Sequence, residues 1–360
     1  MPLKIVHCAD LHIGASFSSL STAKASVRSE ELRTALSDII KFCKEKSADA
    51  LLICGDLFDN PNPMEKDREF VRKELSSLSP TPVFIICGNH DYMCPESPYA
   101  NEKYFSDNVH IFPCFDYAYQ LEDKNCVIYG KSYSSSVTEP SFANTETDKS
   151  KINICCLHGD FLRSGDYNTI TADSLSNCNF NYAAFGHIHN GEVFEVGGVK
   201  CAYSGAAEGH SFNDDGFTGF IYAEITEEET KLLPITLSKR HYKNISYDIS
   251  GDDFSQTVVS LKEIINRNDL YKITLVGEYI SSPDISRIKE ELEAYAFYLD
   301  IEDESTPSYN FDEIEKEESL RGEFLRELRK ITHSEEEFIK CGKVGLDALS
   351  GRIPNPEVEL

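Results

Sequence analysis

Cys87-Gly88-Asn89-His90-Asp91 is the stretch of this chain from which the fold is best inferred. It ends an uninterrupted apolar run, residues 83–87, and then presents an amide, an imidazole and a carboxylate on consecutive residues. An apolar run without alternation is typical of a strand that is covered on both faces, as in a parallel sheet. In open α/β sheets the ligand crevice lies just beyond the carboxyl ends of such strands. The sequence therefore predicts a site at the end of this strand.

Other predicted strands end in the same kind of polar cluster. The clusters are Asp10 and His12 after residues 4–8, Asp56 and Asp59 after residues 48–54, His158 after residues 151–157, and His187 and His189 after residues 182–185. Helical periodicity over residues 22–46 and about 64–78 separates the first three strands, which indicates alternating strands and helices around a parallel sheet. Because Asp10 and His12 lie two residues apart, an extended backbone would place both side chains on one side.

The composition predicts a large reduced protein with an acidic surface. At 360 residues the chain is longer than a usual single domain, so one large domain with one or two smaller pieces is expected. The twelve cysteines are scattered without a Cys-x-x-Cys pair, and we expect reduced, structural thiols. No apolar run approaches the length of a membrane span and no signal peptide precedes the first strand, so we expect a cytoplasmic protein without a membrane segment.

The net charge of −26 argues against nucleic acid as a partner, because nucleic-acid binding depends on lysine and arginine that neutralise phosphates. The charge is unevenly spread, however. Residues 290–318 hold twelve acidic residues and one lysine, a net charge of −11 in one short stretch. Much of the acidity thus lies far from the polar clusters, although the remainder of the chain is still acidic.

The pattern changes after residue 240. We predict a first domain over residues 1–240, a small α/β domain with a strand-helix-strand-helix order over residues 241–305, and an acidic linker with C-terminal helices over residues 306–360. Apolar residues recur at helical spacing over residues 320–331 and about 335–349. Their apolar stripes either pack on the chain's own domains or bind a partner, and the sequence leaves both alternatives open.

The polar clusters contain the donors of a metal centre. They hold five of the ten histidines together with carboxylates and one amide, and none of them includes a cysteine. Oxygen and imidazole donors without thiolate suit Mn²⁺, Fe²⁺ or Zn²⁺ better than Ca²⁺ or a structural zinc. The donors outnumber those that one tetrahedral ion uses. Two ions are therefore the simpler interpretation.

In the order and spacing of these motifs the chain resembles the calcineurin-like metallophosphoesterases. The motifs are Asp10-x-His12, Gly55-Asp56-x-x-Asp59, Gly88-Asn89-His90-Asp91, His158 and Gly186-His187-x-His189. Within that superfamily, residues 7–14 and the segment from Tyr203 through His210 to Gly219 are similar to the SbcD-type double-strand-break repair nucleases, particularly the shorter bacterial YhaO-like exonucleases. The resemblance covers residues 3–240, and residues 241–305 only as a capping domain.

The resemblance implies a fold and a set of roles. The fold is α/β, a four-layer α/β/β/α sandwich with a small α/β capping domain and a helical C-terminal tail. One cation would be held by Asp10, His12 and His189, and the other by Asn89, His158 and His187, with Asp56 bridging both. His90 would face the scissile phosphate with Asp59 hydrogen-bonded to it. Outside these motifs, His210 lies in the loop after the Gly205 turn, and from that position we expect it to reach the substrate.

The function implied by the resemblance is hydrolysis of DNA phosphodiesters at double-stranded ends. Two divalent cations, Mn²⁺ first and Fe²⁺ or Zn²⁺ as alternatives, about 4 Å apart would activate a shared hydroxide and clamp the phosphate for in-line attack. The expected enzyme is an exonuclease with some endonuclease activity that works in DNA repair. Its expected partners are a coiled-coil ATPase of the SbcC or YhaN kind and a second copy of the chain.

One departure and two alternatives accompany this hypothesis. Asp59 is followed by Asn60-Pro61-Asn62-Pro63 and not by the arginine with which phosphoprotein phosphatases of the superfamily clamp a phosphomonoester, which argues against a phosphomonoesterase. The acidic charge favours a phosphodiesterase for nucleotides or other small phosphodiesters. A third hypothesis is a metal-bearing scaffold that mainly supports its ATPase.

Overall fold

The computed structural model describes residues 1–101, 103–137, 146–161 and 171–352. The strands are β1 (Leu3–Cys8), β2 (Ala50–Cys54), β3 (Val83–Ile86), β4 (Val109–Ile111), β5 (Tyr117–Leu121), β6 (Cys126–Gly130), β7 (Ile152–His158), β8 (Tyr182–Gly186), β9 (Glu192–Val196), β10 (Val199–Tyr203), β11 (Gly219–Ile225), β12 (Thr230–Thr236), β13 (Tyr242–Asp248), β14 (Leu270–Val276), β15 (Glu278–Tyr279), β16 (Tyr298–Asp303) and β17 (Thr306–Pro307).

The helices connect these strands and form the C-terminal part. They are α1 (Thr22–Lys46), α2 (Glu65–Ser76), α3 (Ala172–Asn177), α4 (Phe254–Ile264), α5 (Ile285–Leu292), α6 (Phe311–Ile314), α7 (Leu320–Ile331) and α8 (Glu335–Leu349), with short 3₁₀ turns at Pro98–Ala100, Glu122–Lys124 and Glu293–Tyr295. Among the described residues, no helix combines the length and the apolar character that a membrane crossing requires.

Two six-stranded sheets form the first domain. The first has the order β12-β11-β1-β2-β3-β4, in which β1 to β4 are parallel and β11 joins β1 antiparallel. The second has the order β5-β6-β7-β8-β10-β9, with β6, β7, β8 and β10 parallel. The carboxyl ends of neighbouring parallel strands therefore lie side by side in each sheet, as the strand-helix alternation predicts.

Three apolar clusters bind the sheets and helices into layers. One lies between the two sheets and includes Ile5, Leu52, Ile154 and Tyr182. The opposite face of the first sheet is covered by apolar residues of α1 and α2, and the second sheet is covered by a cluster that includes Leu175 of α3. This helix-sheet-sheet-helix order confirms the predicted four-layer α/β fold. All twelve cysteines are free thiols, as the sequence predicts.

The structure contains strands that the sequence pattern does not predict. β5 and β12 are edge strands with mostly exposed or half-buried residues, so they lack the apolar run that marks the central strands. Helical spacing predicts a helix that ends at Tyr298. The helix α5 stops at Leu292 instead, and the strand β16 begins at Tyr298. The predicted four-element unit after residue 240 thus has a third strand, and its sheet has the order β13-β14-β16.

The chain divides into two compact units. The first contains residues 1–244, 266–272 and 296–298, and the second contains residues 245–265, 273–295 and 299–360. In the second unit α7 and α8 pack around Leu325, Leu328, Phe338 and Leu346. The predicted separation into a capping domain and a tail at residue 305 stays a prediction, and residues 353–360 of that tail lie outside the described part of the chain.

Candidate metal centre

Five strand ends bring the predicted ligands together. β1, β2 and β3 are neighbours in the first sheet, and β7 and β8 are neighbours in the second, where His158 lies opposite Gly186 in register. Contacts join the two sheets at this edge, because the His187 backbone N–H donates to the Asp10 carboxylate at 3.0 Å. His158 Nδ1 lies 2.9 Å from the Cys54 carbonyl oxygen of β2.

The ligand loops do not have the extended backbone that the Asp10-x-His12 spacing predicts. Asp10, His12 and Asp56 have φ angles of 51°, 44° and 52°, in the left-handed region, and His187 has a φ of 95°. The reason is the pairing between loops: His12 N–H donates to the Asp56 carbonyl at 2.9 Å, and Asp10 N–H donates to the Gly55 carbonyl at 3.1 Å. Non-glycine residues in this region carry strain that the surrounding structure must offset, and such strain gathers at functional sites.

Two glycines permit this close packing. A Cβ atom on Gly88 would lie 2.2 Å from Asp56 Oδ1, and one on Gly186 would lie 1.9 Å from the Cys54 carbonyl oxygen. Neither contact is tolerable, and the second is with backbone that cannot rotate away. Gly88 is therefore required by the close approach of the loops after β2 and β3 in the first sheet, and Gly186 by the approach of the second sheet to β2.

The residues expected to hold the first cation converge. Asp10, His12 and His189 each offer a ligand atom, and these atoms lie within 4.8 Å of one another. Asp10 and His12 are buried, and Nε2 of His12 is buried without a hydrogen-bond partner. A buried imidazole nitrogen without a partner is costly unless something binds it. The donor set and the unpartnered imidazole nitrogen therefore both fit a cation at this position.

The residues expected to hold the second cation are also in contact. Asn89 Oδ1 lies 2.8 Å from His158 Nε2 and 3.2 Å from His187 Nδ1. Asp56 Oδ2 lies 3.4 Å from His158 Nε2 and 3.7 Å from His12 Nε2, so this carboxylate lies between the two groups of ligands. The arrangement fits a bridging carboxylate, and each role remains a prediction.

Carboxylates and imidazoles are crowded together at the site, and their pKa values shift as a result. Burial alone would lower the pKa of His158, but attraction to Asp56 and Asp10 outweighs it and raises the pKa to about 9. Burial and the neighbouring charge of His158 lower the pKa of His187 to about 3. Burial would raise the pKa of Asp56, but the surrounding imidazoles, His158 foremost, hold that pKa below its usual range. The negative charge of Asp56 is thus balanced by positive charge on the neighbouring imidazoles. A bound cation would supply that positive charge instead.

Asp59 of the predicted catalytic pair lies near both His12 and His90. Its carboxylate lies 3.2 Å from His12 Nδ1, and ligand atoms of Asp59, His12 and His90 lie within 4.8 Å of one another. His90 is exposed at the mouth of the site, with its ring 4.9 Å from that of His12. The hydrogen bond between Asp59 and His90 therefore stays a prediction.

His210 lies at the edge of the site. Its ring centroid is 4.9 Å from that of His12 and 5.4 Å from that of His189, and the ring stacks on Phe17. Its Nε2 is buried without a hydrogen-bond partner. The contact with substrate that the sequence analysis predicts is compatible with this position but is not tested by it.

Buried carboxylates that the sequence analysis did not single out support the ligands. Asp91 accepts hydrogen bonds from the backbone N–H groups of Asp56, Phe58 and Gly88 and from the Tyr99 hydroxyl. Asp214 lies 3.2 Å from His189 Nδ1. Asp91 belongs to the Gly-Asn-His-Asp motif and could have been suspected from its place there. Asp214 lies within the segment from Tyr203 to Gly219 that carries the resemblance, but nothing in that segment pairs it with His189.

Comparison with known proteins supports the same chemistry. A family model described as calcineurin-like phosphoesterase matches residues 3–191. The chain is 27% identical over 240 residues to the metallophosphoesterase YhaO of Bacillus subtilis, covering 62% of this chain and 58% of that protein. It is 23% identical over 257 residues to the SbcD component of the nuclease SbcCD of Bacillus subtilis, covering 60% and 64% of the two chains.

A third relative is archaeal. The DNA double-strand break repair protein Mre11 of Thermoplasma acidophilum is 25% identical over 290 residues, covering 76% of this chain and 75% of that protein. The chain thus spans about three fifths of the length of the two Bacillus relatives. The family model covers more than half of the chain and contains all five strand ends that carry the candidate ligands. The protein therefore belongs to the calcineurin-like phosphoesterase family, whose members carry a dinuclear metal centre.

Proposed function

We propose that this protein is a Mn²⁺-dependent DNA nuclease that hydrolyses phosphodiesters from double-stranded ends in DNA repair. The observation that carries the proposal is the convergence of carboxylate, amide and imidazole donors from two sheets around Asp56, with His90 exposed beside them. The donors include no thiolate, which suits Mn²⁺, Fe²⁺ or Zn²⁺. Relatives named as a component of a nuclease and as a DNA double-strand break repair protein support DNA as the substrate.

Different residues of the chain have different roles in the proposed reaction. When bound, the cations would supply positive charge that holds the phosphate and lowers the pKa of an attacking water. Asn89 provides a neutral oxygen, which limits the negative charge that faces an anionic substrate. The imidazole of His90 lies exposed near His12. In the proposed reaction it would stabilise the departing oxygen or protonate it. His210 contributes a buried nitrogen that is free to bind the substrate at the edge of the site.

End-labelled duplex DNA tests the proposal. We compare Mn²⁺-dependent nucleotide release by the wild type, by His90→Ala and by His333→Ala, which removes an exposed imidazole from the turn between α7 and α8. The wild type and His333→Ala should degrade the duplex from its ends, and His90→Ala should keep its metal and lose activity by roughly 100-fold or more. Full activity in His90→Ala would contradict the role of that imidazole.

Hydrolysis of small phosphodiesters is the second candidate function, and the net charge of −26 favours it. Binding of the His90→Ala protein to duplex DNA across salt concentrations separates the two. A DNA enzyme should lose affinity steeply as salt rises, because binding releases counterions from the phosphates. Hydrolysis of bis-p-nitrophenyl phosphate without any salt-dependent DNA binding would favour the small substrate.

We further propose that α7 binds a coiled-coil ATPase of the SbcC or YhaN kind. Leu320 and Ile331 are 71% and 70% exposed, and they lie eleven residues apart, about three helical turns, so both project from one face. The double substitution Leu320→Glu/Ile331→Glu should abolish co-purification with the ATPase and leave phosphodiesterase activity unchanged. A matched control, Glu327→Gln/Lys330→Gln, removes an exposed ion pair from the same helix and should keep the partner.

Like Leu320→Glu/Ile331→Glu, deletion of the residues after about 318 should abolish co-purification with the ATPase and leave phosphodiesterase activity unchanged. Loss of both the partner and the phosphodiesterase activity would count against α7 as a docking element, because the deletion would then act on the whole protein.

A homodimer is proposed on family grounds, and a monomer at every concentration in sedimentation would contradict it. A repair defect in cells that carry His90→Ala would exclude the scaffold hypothesis.

A further inference from the structure

His189 makes a hydrogen bond that fixes its orientation. Its Nδ1 lies 3.2 Å from Asp214 Oδ2 and 3.3 Å from Asp214 Oδ1. The Asp214 side chain is only 4% exposed, so its carboxylate is held in place against the ring. A carboxylate only accepts hydrogen bonds, so Nδ1 of His189 carries the proton. The other nitrogen, Nε2, is then the one free to bind a cation.

Asp214 is itself held in place by the backbone. The N–H groups of His210 and Ser211 donate to Asp214 Oδ2 at 2.6 and 3.1 Å. One carboxylate thus closes the turn that carries His210 and also bonds to His189. Hydrogen bonds within residues 210–214 thus help to set its position.

The segment before this turn is anchored to α1. Arg28, which is fully buried, donates to the Gly209 carbonyl at 2.7 Å and to Glu208 at 3.1 Å. Glu208 also accepts the backbone N–H of Lys239 at 2.9 Å. Residues 208–214, which we name the anchor loop, are therefore tied at one end to α1 and at the other to His189.

We infer that Asp214 is a positioning residue for the metal centre, which holds His189 in the tautomer and orientation that bind a cation. This inference rests on the proposed metal-dependent function and assigns to the anchor loop a role that the ligand motifs do not contain. A carboxylate bonded to the far nitrogen of a ligating histidine fixes the ring and strengthens the ligand. Removal of such a partner typically weakens metal binding by roughly 10- to 100-fold.

The neutral substitution Asp214→Asn is the sharpest test. The amide oxygen can keep the two backbone donors, which leaves the NH₂ group to face His189. Nδ1 must then accept a hydrogen bond, and the proton moves to Nε2, the nitrogen that would bind the cation. Asp215→Asn is the matched control, because Asp215 is the exposed neighbouring residue and loses the same charge.

The measurement is Mn²⁺ titration of the full chain by calorimetry, with the thermal midpoint of the metal-free protein recorded in parallel. We expect two sites in the wild type and in Asp215→Asn, and a loss of roughly 10- to 100-fold in affinity at one site in Asp214→Asn. Asp214→Glu, which restores the carboxylate, should recover part of that loss. ¹⁵N NMR of the Zn²⁺-loaded wild type should show the proton of His189 on Nδ1.

The outcomes separate this inference from the proposed function. Two unchanged sites in Asp214→Asn, with only a lower thermal midpoint, would show that the anchor loop is merely structural and would overturn the inference. A wild-type protein that binds no divalent cation would overturn both the proposed function and the inference. Two wild-type sites without hydrolysis of any phosphodiester would remove the proposed function alone.

Discussion

The two halves of the candidate metal centre are supported in different ways. The half on the first sheet, with Asp10, His12 and Asp56, is supported from within its own motifs, because Asp91 binds backbone groups of both the β2 and the β3 loops. On the second sheet, side-chain support for two of the histidines comes from outside their own motifs. The Cys54 carbonyl of the first sheet contacts His158, and Asp214 contacts His189.

This difference shows why some site residues are easy to find in the sequence and others are not. Short loops that follow neighbouring strands can support one another, and their supporting residues then lie within the same few positions as the ligands. A histidine at the end of a strand in the second sheet has to recruit its partner from another part of the chain. Substitutions that act on each half, or on the link between them, test the comparison.

Asp56→Asn should have the largest effect, because this carboxylate lies between the two halves. It removes the negative charge that both ligand groups face, at 3.4 Å from His158 and 3.7 Å from His12. We expect loss of bound metal from both sites and activity reduced by roughly 100-fold or more. Metal analysis of the purified variant checks this, and full occupancy with two ions would contradict the bridging position.

Asp91→Asn should destabilise the half on the first sheet before any metal binds. Asp91 is fully buried and accepts from three backbone N–H groups and from Tyr99, and an amide cannot accept all four hydrogen bonds. We expect the free energy of unfolding in chelator to fall by about 3 kcal/mol. Asp59→Asn, in the same region but partly exposed, should cost less than about 1 kcal/mol. A similarly small loss in Asp91→Asn would show that Asp91 does not support these loops.

The contact between His7 and Tyr182, which joins the two sheets, should make the free energy of unfolding depend on pH. His7 of β1 lies 2.7 Å from the Tyr182 hydroxyl of β8, and burial lowers the pKa of His7 to about 3. Below the unfolded pKa of about 6.5 the unfolded state binds a proton that the folded state does not, so the free energy of unfolding falls as pH falls toward 3. From pH 7.5 to pH 5 this loss is about 2 kcal/mol.

Urea unfolding of metal-free protein at the two pH values isolates that contribution. His7→Leu/Tyr182→Phe removes both polar partners at once and should lose about 2 kcal/mol less than the wild type over the interval. His333→Ala, which removes an exposed imidazole, should behave like the wild type. An equal pH dependence in all three proteins would show that His7 becomes protonated without unfolding.

Asp160→Asn should have the smallest effect. Asp160 lies 3.9 Å from His187 Nε2, which is longer than a hydrogen bond, whereas Asp214 lies at 3.2 Å from His189. We expect the Mn²⁺ affinity to change by less than about threefold in the same calorimetric titration. A loss as large as that expected for Asp214→Asn would mean that both histidines of the Gly-His-x-His motif depend on a carboxylate in the same way.

The fold and the candidate ligands follow from local patterns in the sequence. Apolar runs such as residues 83–87 identify buried parallel strands, and the polar residues after them identify one edge of the sheets. The edge strands β5 and β12 could not be found in this way, because half of their surface is solvated and their sequences carry no apolar run. The predicted extended backbone at Asp10 and His12 is wrong, because hydrogen bonds between loops override the local preference.

By itself the sequence determined the buried parallel strands that carry the site, the residues that follow them and the class of chemistry that those residue types can perform. These properties depend on near neighbours along the chain, through apolar runs, spacing and donor type. Only the tertiary structure decided that Asp59 approaches His12, that Arg28 anchors the loop of His210, and that Asp214 bonds to His189. Those contacts join residues that are distant in sequence or placed by irregular loops, and no periodicity records them.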